Sequence, residues 1–104
     1  HGKSDSFAVH SVEAPGDYRR SWNTAGTDRA IYVNLGHTAY LNLQDYPDIQ
    51  LEYLREQMLK QYVWLYLSEG RYDMFGSEFA DLEPQEAAPR VLEKIEAVYY
   101  ESLR

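Results

Sequence analysis

The run Tyr62-Val63-Trp64-Leu65-Tyr66-Leu67 is apolar on every side of a helix, and no other stretch constrains the fold as much. It forms the second half of a segment that opens at Pro47-Asp48, continues through Glu52 and closes at Gly70. Proline is tolerated in a first helical turn, an aspartate there accepts otherwise orphaned amide hydrogen bonds, and glycine readily ends a helix. The segment is therefore predicted to be a helix about 33 Å long, at ~1.5 Å per residue. Leu51, Leu54, Met58, Tyr62 and Leu65 recur at steps of three and four and form the stripe expected to face the core. Trp64 falls about 100° from Leu65 and about 160° from Tyr62, away from the centre of that stripe. A small two-layer domain can hardly cover a helix half of this kind, so either the helix is central or it is half of an interface. Few other residues are free to cover it, which favours cover of Trp64 by another chain.

The segments around this helix predict an α+β domain: a small antiparallel sheet of two or three strands, with two C-terminal helices packed on one face. Phe7 to Val12 has a loosely alternating, β-branched pattern, and Pro15-Gly16-Asp17 supplies a turn. Tyr18 to Trp22 reads as a short second strand, and Asn23 to Asp28 as a cluster of turn formers. Ala30 to Leu35, ended by Gly36, is the most strand-like run. The short connection between the second and third strands implies antiparallel pairing, because parallel strands need a crossover of a dozen or more residues. Arg71 to Leu82 reads as a loop whose aromatics tuck back on the core. Pro84 and Pro89 bracket an acidic lead-in to a second helix, with Val91, Leu92, Ile95, Val98, Tyr99 and Leu103 on its apolar stripe. His1 to Ser6 is polar and set aside, leaving residues 7–104 as one domain cut from a longer protein.

A formal charge of −7, from ten Lys and Arg against seventeen Asp and Glu, opposes binding to a phosphate backbone, so nucleic acid is not an expected partner. The adjacent Arg19-Arg20 pair is flanked by Glu13 and Asp17 and reads as a solvated turn. No apolar window is long enough to span a bilayer, so no membrane partner is expected and the domain should be soluble. The absence of cysteine rules out disulfides and thiolate metal sites and fits a reducing, cytoplasmic compartment.

Catalytic patterns are missing. His1, His10 and His37 share no metal-ligand spacing, so neither a metal nor a cofactor is expected. No phosphate-cradling glycine loop or nucleophile motif occurs, and Asp81, Glu83 and Glu86 on an acidic connector read as surface charge. His37 lies just beyond the strongest strand, close in sequence to Asn34 and Tyr40. The simpler reading of it is a strand-end histidine bonding a backbone carbonyl; the alternative is a ligand-binding or catalytic strand end built from Asn34, His37 and Tyr40.

Ten tyrosines, two tryptophans and three phenylalanines carry more information, since aromatics fill cores and also mark binding surfaces. Tyr53, Trp64, Tyr66 and Tyr100 fall off the main stripes and are candidates for contact with a partner; internal packing is an equal alternative. The run Arg29-Ala30-Ile31-Tyr32-Val33-Asn34-Leu35-Gly36-His37, followed by a tyrosine and a long helix, resembles the region C-terminal to the nucleotide pocket in proteins of the gyrase, histidine kinase and heat-shock chaperone ATPase superfamily. The resemblance covers about a third of the chain and departs at Thr38, where that pattern has proline. It brings no ATP-binding residue with it and implies a non-catalytic accessory domain. Together these features predict a protein-interaction or assembly domain, partnered by another protein or by copies of itself and not acting alone as an enzyme.

Overall fold

The β-branched and aromatic run Ala30–Asn34 forms the central strand, β3, the position that most favours such residues. A computed structural model of the chain describes residues 7–26 and 28–102. β1 (Ala8–Val12) lies on one side of β3 and β2 (Ser21–Thr24) on the other, giving the order β1-β3-β2. A short helix, α1 (Thr38–Leu41), leads to the long helix α2 (Pro47–Ser68). Two 3-10 turns, Tyr72–Met74 and Ser77–Phe79, then connect to α3 (Pro84–Ser102).

The expected α+β architecture is present, with a three-stranded N-terminal sheet and two long C-terminal helices. The sheet, however, is mixed rather than wholly antiparallel. β2 runs antiparallel to β3, as its short connection requires, but β1 runs parallel to β3 with Ala8 opposite Ala30 and Val12 opposite Asn34. The crossover that a parallel pair needs is the stretch 13–29, with β2 inside it. β2 begins and ends later than expected, and Asn23, a turn former by type, lies within it with its side chain bonded to α2.

The two helices do not share one face of the sheet. α2 packs on β2 and β3, and α3 packs on the far side of α2. α2 is thus the middle layer, and this is what covers its apolar half. Val63, Leu65, Tyr66 and Leu67 are all buried. Three of these are consecutive and span about 200° of the helix, a breadth that only cover from several sides can bury. Val63 and Leu67 form a core with Phe79 of the second 3-10 turn and with Ala87, Ala88 and Val91 of α3. Trp64 packs partly buried against that cluster, so at least part of its cover comes from within the domain. α3 starts at Pro84, earlier than expected, and holds Pro89 in its second turn; the alanines beside it let α3 approach α2 closely. Gly70, at φ +75°, ends α2 as foreseen, with Gly70 N–H donating to Leu67 O at 3.0 Å and Arg71 N–H to Tyr66 O at 2.9 Å.

The stripe of α2 that meets the sheet is not the one its apolar spacing suggests. Leu51 and Met58 are exposed, whereas Tyr53, Gln57 and Gln61 are buried. β2 presents Ser21 and Asn23 to the helix, so the matching groups are amides. Ser21 Oγ donates to Gln57 Oε1 at 2.7 Å, Gln61 Nε2 donates to Ser21 Oγ at 3.0 Å, and Asn23 Nδ2 donates to Gln61 Oε1 at 2.7 Å. Hydrophobic period cannot reveal a contact made of hydrogen bonds.

The connection from β1 to β2 passes over the end of β3, where Asn34 is fully buried. Its Oδ1 accepts from Ala14 N–H at 2.9 Å and Gly36 N–H at 3.0 Å, and its Nδ2 donates to Ala14 O at 2.9 Å and Arg19 O at 3.0 Å. Gly36 permits the close approach, since a Cβ there would lie 2.9 Å from Ala14 N and 3.0 Å from Pro15 N. Replacing Asn34 by alanine strips four backbone groups of their partner at once. Asn34→Ala is expected to lower unfolding free energy by about 3–5 kcal/mol, read from the urea midpoint, and a loss below ~1 kcal/mol would show that water replaces the amide.

Candidate interaction surface

The three residues proposed for a ligand site at the strand end lie close together in the chain, but two of them spend their polar atoms on the domain's own backbone. Asn34 is occupied as described. His37 caps the N-terminus of α1: its Nδ1 accepts from Ala39 N–H at 2.9 Å, which leaves the proton on Nε2, facing Tyr18 O at 3.1 Å. The simpler reading of His37, a ring bonded to a backbone carbonyl, is the arrangement found. Tyr40 turns toward Tyr53, with ring centroids 6.1 Å apart. Asn34 and His37 thus fix the loop 13–20 rather than facing a cavity.

That loop carries one end of a row of rings. Asp17 accepts from the guanidinium of Arg19 at Nε, 3.1 Å, and at Nη2, 2.8 Å. The Arg19 guanidinium lies 4.2 Å from the centroid of the Trp22 ring. Trp22 stacks on Tyr32 at 5.6 Å and 14°, and Tyr32 on His10 at 5.2 Å and 28°. His10, Tyr32 and Trp22 are cross-strand neighbours in register, so the row crosses all three strands on the face turned away from α2. Strand alternation alone contained the signal for this row, but only with the strand order known.

β1 is the open part of the sheet. Ala8, Val9, His10 and Ser11 are exposed, and α2 lies over β2 and β3 rather than over β1. Ala8 N–H donates to Arg29 O and Val12 O accepts from Leu35 N–H, so the even-numbered residues of β1 point their backbone groups at β3. Val9 and Ser11 therefore direct N–H and C=O outward, and among the described residues no strand pairs with them.

The four aromatics proposed for an interface do not meet on one surface. Tyr53 and Tyr66 are buried in the domain. Tyr66 is flanked by the guanidinium groups of Arg29 and Arg71, each 5.1 Å from its ring, and Arg29 is held in turn by Glu69 at 2.7 and 3.1 Å. Burial pushes the Tyr53 hydroxyl pKa up. Trp64 is half-buried, packed against the cluster that contains Val63, Leu67 and Phe79, and the side chain of Tyr100 lies outside the described residues. Helical spacing places them off the apolar stripe, but that stripe is only partly the buried one: Leu65 on it is buried, whereas Leu51 and Met58 are exposed. Among the described residues no three His, Asp or Glu side chains are grouped to hold a metal, and no helix is long and apolar enough to cross a membrane.

Comparison with protein-family models, with curated proteins and with solved structures gives no match.

The Arg19 side chain, which donates to the Asp17 carboxylate, holds the Asp17 pKa down from 3.8 to about 2. A depressed carboxylate pKa stabilises the fold above its ordinary value, and that contribution is lost as pH falls toward the folded value. Acidification from 3.8 to about 2 should release Arg19 from Asp17 and loosen its stacking on Trp22. A tryptophan fluorescence titration should show a step in that window that is absent in Asp17→Asn; the same step in both proteins would remove Asp17 as its cause.

Proposed function

We propose that this domain is a non-catalytic protein-interaction module of a larger protein, and that it binds by accepting a strand along the outer edge of β1. The exposed β1 edge carries this reading: it offers unpaired N–H and C=O groups at Val9 and Ser11 and lies outside the cover of α2. Strand addition uses just such groups for affinity and alternate side chains for specificity. Here the added strand meets Val9 on the α2 side of the sheet and the end of the His10–Tyr32–Trp22 row on the other. Natural edge strands are usually guarded by charge, proline or a bulge. Ala8 to Val12 contains neither a Lys, Arg, Asp or Glu nor a proline. The other edge, β2, follows directly on Arg19 and Arg20 and lies under α2.

The resemblance at Arg29–His37 implies the same non-catalytic, accessory role. A cysteine-free sequence suits a cytoplasmic setting for it. A strand-end site at His37 gains nothing from the geometry, because the polar atoms of Asn34 and His37 face backbone groups.

Val9→Pro tests the edge selectively. It deletes an outward N–H and leaves the inward ladder to β3 intact, and an edge strand tolerates proline at such a position. Immobilised parent and Val9→Pro domains of equal melting temperature are compared for the proteins that each retains from an extract, including added copies of the domain itself. Retention that depends on the parent Val9 is expected. Equal retention by both would overturn strand addition at β1.

A further inference from the structure

We infer that the strand accepted by β1 is the β1 of a second copy of this chain, paired antiparallel about a twofold axis at His10. This rests on the edge reading above and names its occupant. The first support is the phase of the free backbone groups. Val9 and Ser11 point outward and are symmetric about His10. A twofold at His10 sets Val9 opposite Ser11 of the second copy and Ser11 opposite its Val9. Each of these is a hydrogen-bonded pair of the antiparallel ladder, so every outward N–H and C=O of the two residues finds a partner. The pairing is isologous and closed, which ends growth at a dimer.

Side chains agree with that register. Ala8 falls opposite Val12, and Phe7, just before the strand, opposite Glu13, so no like charges meet. His10 falls opposite His10 in a non-hydrogen-bonded pair, the kind in which Cα atoms lie about 4.5 Å apart and side chains are closest. The ring row Trp22–Tyr32–His10 then continues into the second copy as His10–Tyr32–Trp22. Centring the axis on Val9 or Ser11 preserves the hydrogen-bond phase but pairs fewer of the five strand residues and breaks this row. Charge points the same way. At −7 two copies repel, and β1, which has no Lys, Arg, Asp or Glu, is where they can approach.

Light scattering on the eluted chain, followed by dilution, reads the result. The parent should be a dimer at high concentration. Val9→Pro, or Ser11→Pro should Val9→Pro misfold, should weaken dimerisation about thirtyfold, the loss expected for one net hydrogen bond in each half of a twofold pair. His10→Asp, which places two carboxylates face to face, should also yield a monomer that still melts cooperatively, below the parent because the stack on Tyr32 is lost. The register has its own readout, since the chain has no cysteine. His10→Cys should oxidise to an interchain disulfide, the paired Cα spacing being within disulfide range, while Ala8→Cys meets valine and should crosslink far more slowly. A parent that stays monomeric at millimolar concentration overturns the second copy as occupant. If Val9-dependent retention of another protein persists in that case, strand addition stands and only the identity of the strand is wrong. A dimer indifferent to Val9→Pro, or one that crosslinks equally at both positions, overturns the pairing.

Discussion

The carboxamide of Asn34 is the interaction on which the rest of the domain depends. A chain that leaves one edge of a sheet and returns on the other must pass over the end of the central strand, where the ladder offers its backbone nothing to bond. Asn34 fills that gap, because a carboxamide carries donors and an acceptor at one end of a short side chain. It pairs with both the N–H and the C=O of Ala14, as a neighbouring strand would, and also reaches Arg19 O. Gly36 adds the missing bulk that lets Ala14 and Pro15 sit against the strand end, and His37 ties Tyr18 from the other side. Without that closure β3 would have no reason to lie between β1 and β2.

The open edge follows from a second polar contact. A helix with its side chains is about 10 Å across and strands lie ~4.8 Å apart, so one helix covers roughly two strands of three. Which two is decided by Gln57 and Gln61, whose hydrogen bonds to Ser21 and Asn23 draw α2 toward β2. Buried amides left unpaired are costly, so α2 cannot slide to the middle of the sheet without breaking them. β1 is therefore uncovered as a result of the polar ladder, while the apolar remainder of α2 turns to α3.

Features set by local chemistry were legible in the sequence. β3 was visible from its β-branched run, the end of α2 from Gly70, and the amphipathic face of α3 from Val91 and Ile95. Contacts made by polar side chains were not, apart from the bond of the His37 ring to a backbone carbonyl. Ser21, Asn23, Asn34, Gln57 and Gln61 look like turn or surface residues by type, yet they set the strand order and the seat of α2. The stripe through Leu51 and Met58 is offset for this reason, although Leu65 on it is buried, and Tyr53 and Tyr66 take the internal-packing alternative. The apolar hexapeptide did pose the right alternatives, a central helix or an interface, and the second layer of cover from α3 decides for the first. His10 gave no signal beyond its place in an alternating strand.

Acidity of the whole chain and the proposed self-pairing of one strand are compatible because they act at different ranges. Repulsion between exposed charges is screened over about 8 Å at physiological ionic strength, whereas a strand pair is made at about 5 Å by groups that carry no net charge. Charge spread over the helices would keep most of the surface of two copies apart and leave β1, which has no Lys, Arg, Asp or Glu, as the place of least resistance. Edge strands elsewhere are guarded by residues that this one lacks, and each such guard would weaken the proposed pairing. Lysine at Val9 would place charge beside the added strand, and proline at Ser11 would remove a donor. The composition of five residues, read against the direction of their backbone groups, thus says more about association than the net charge of the whole chain.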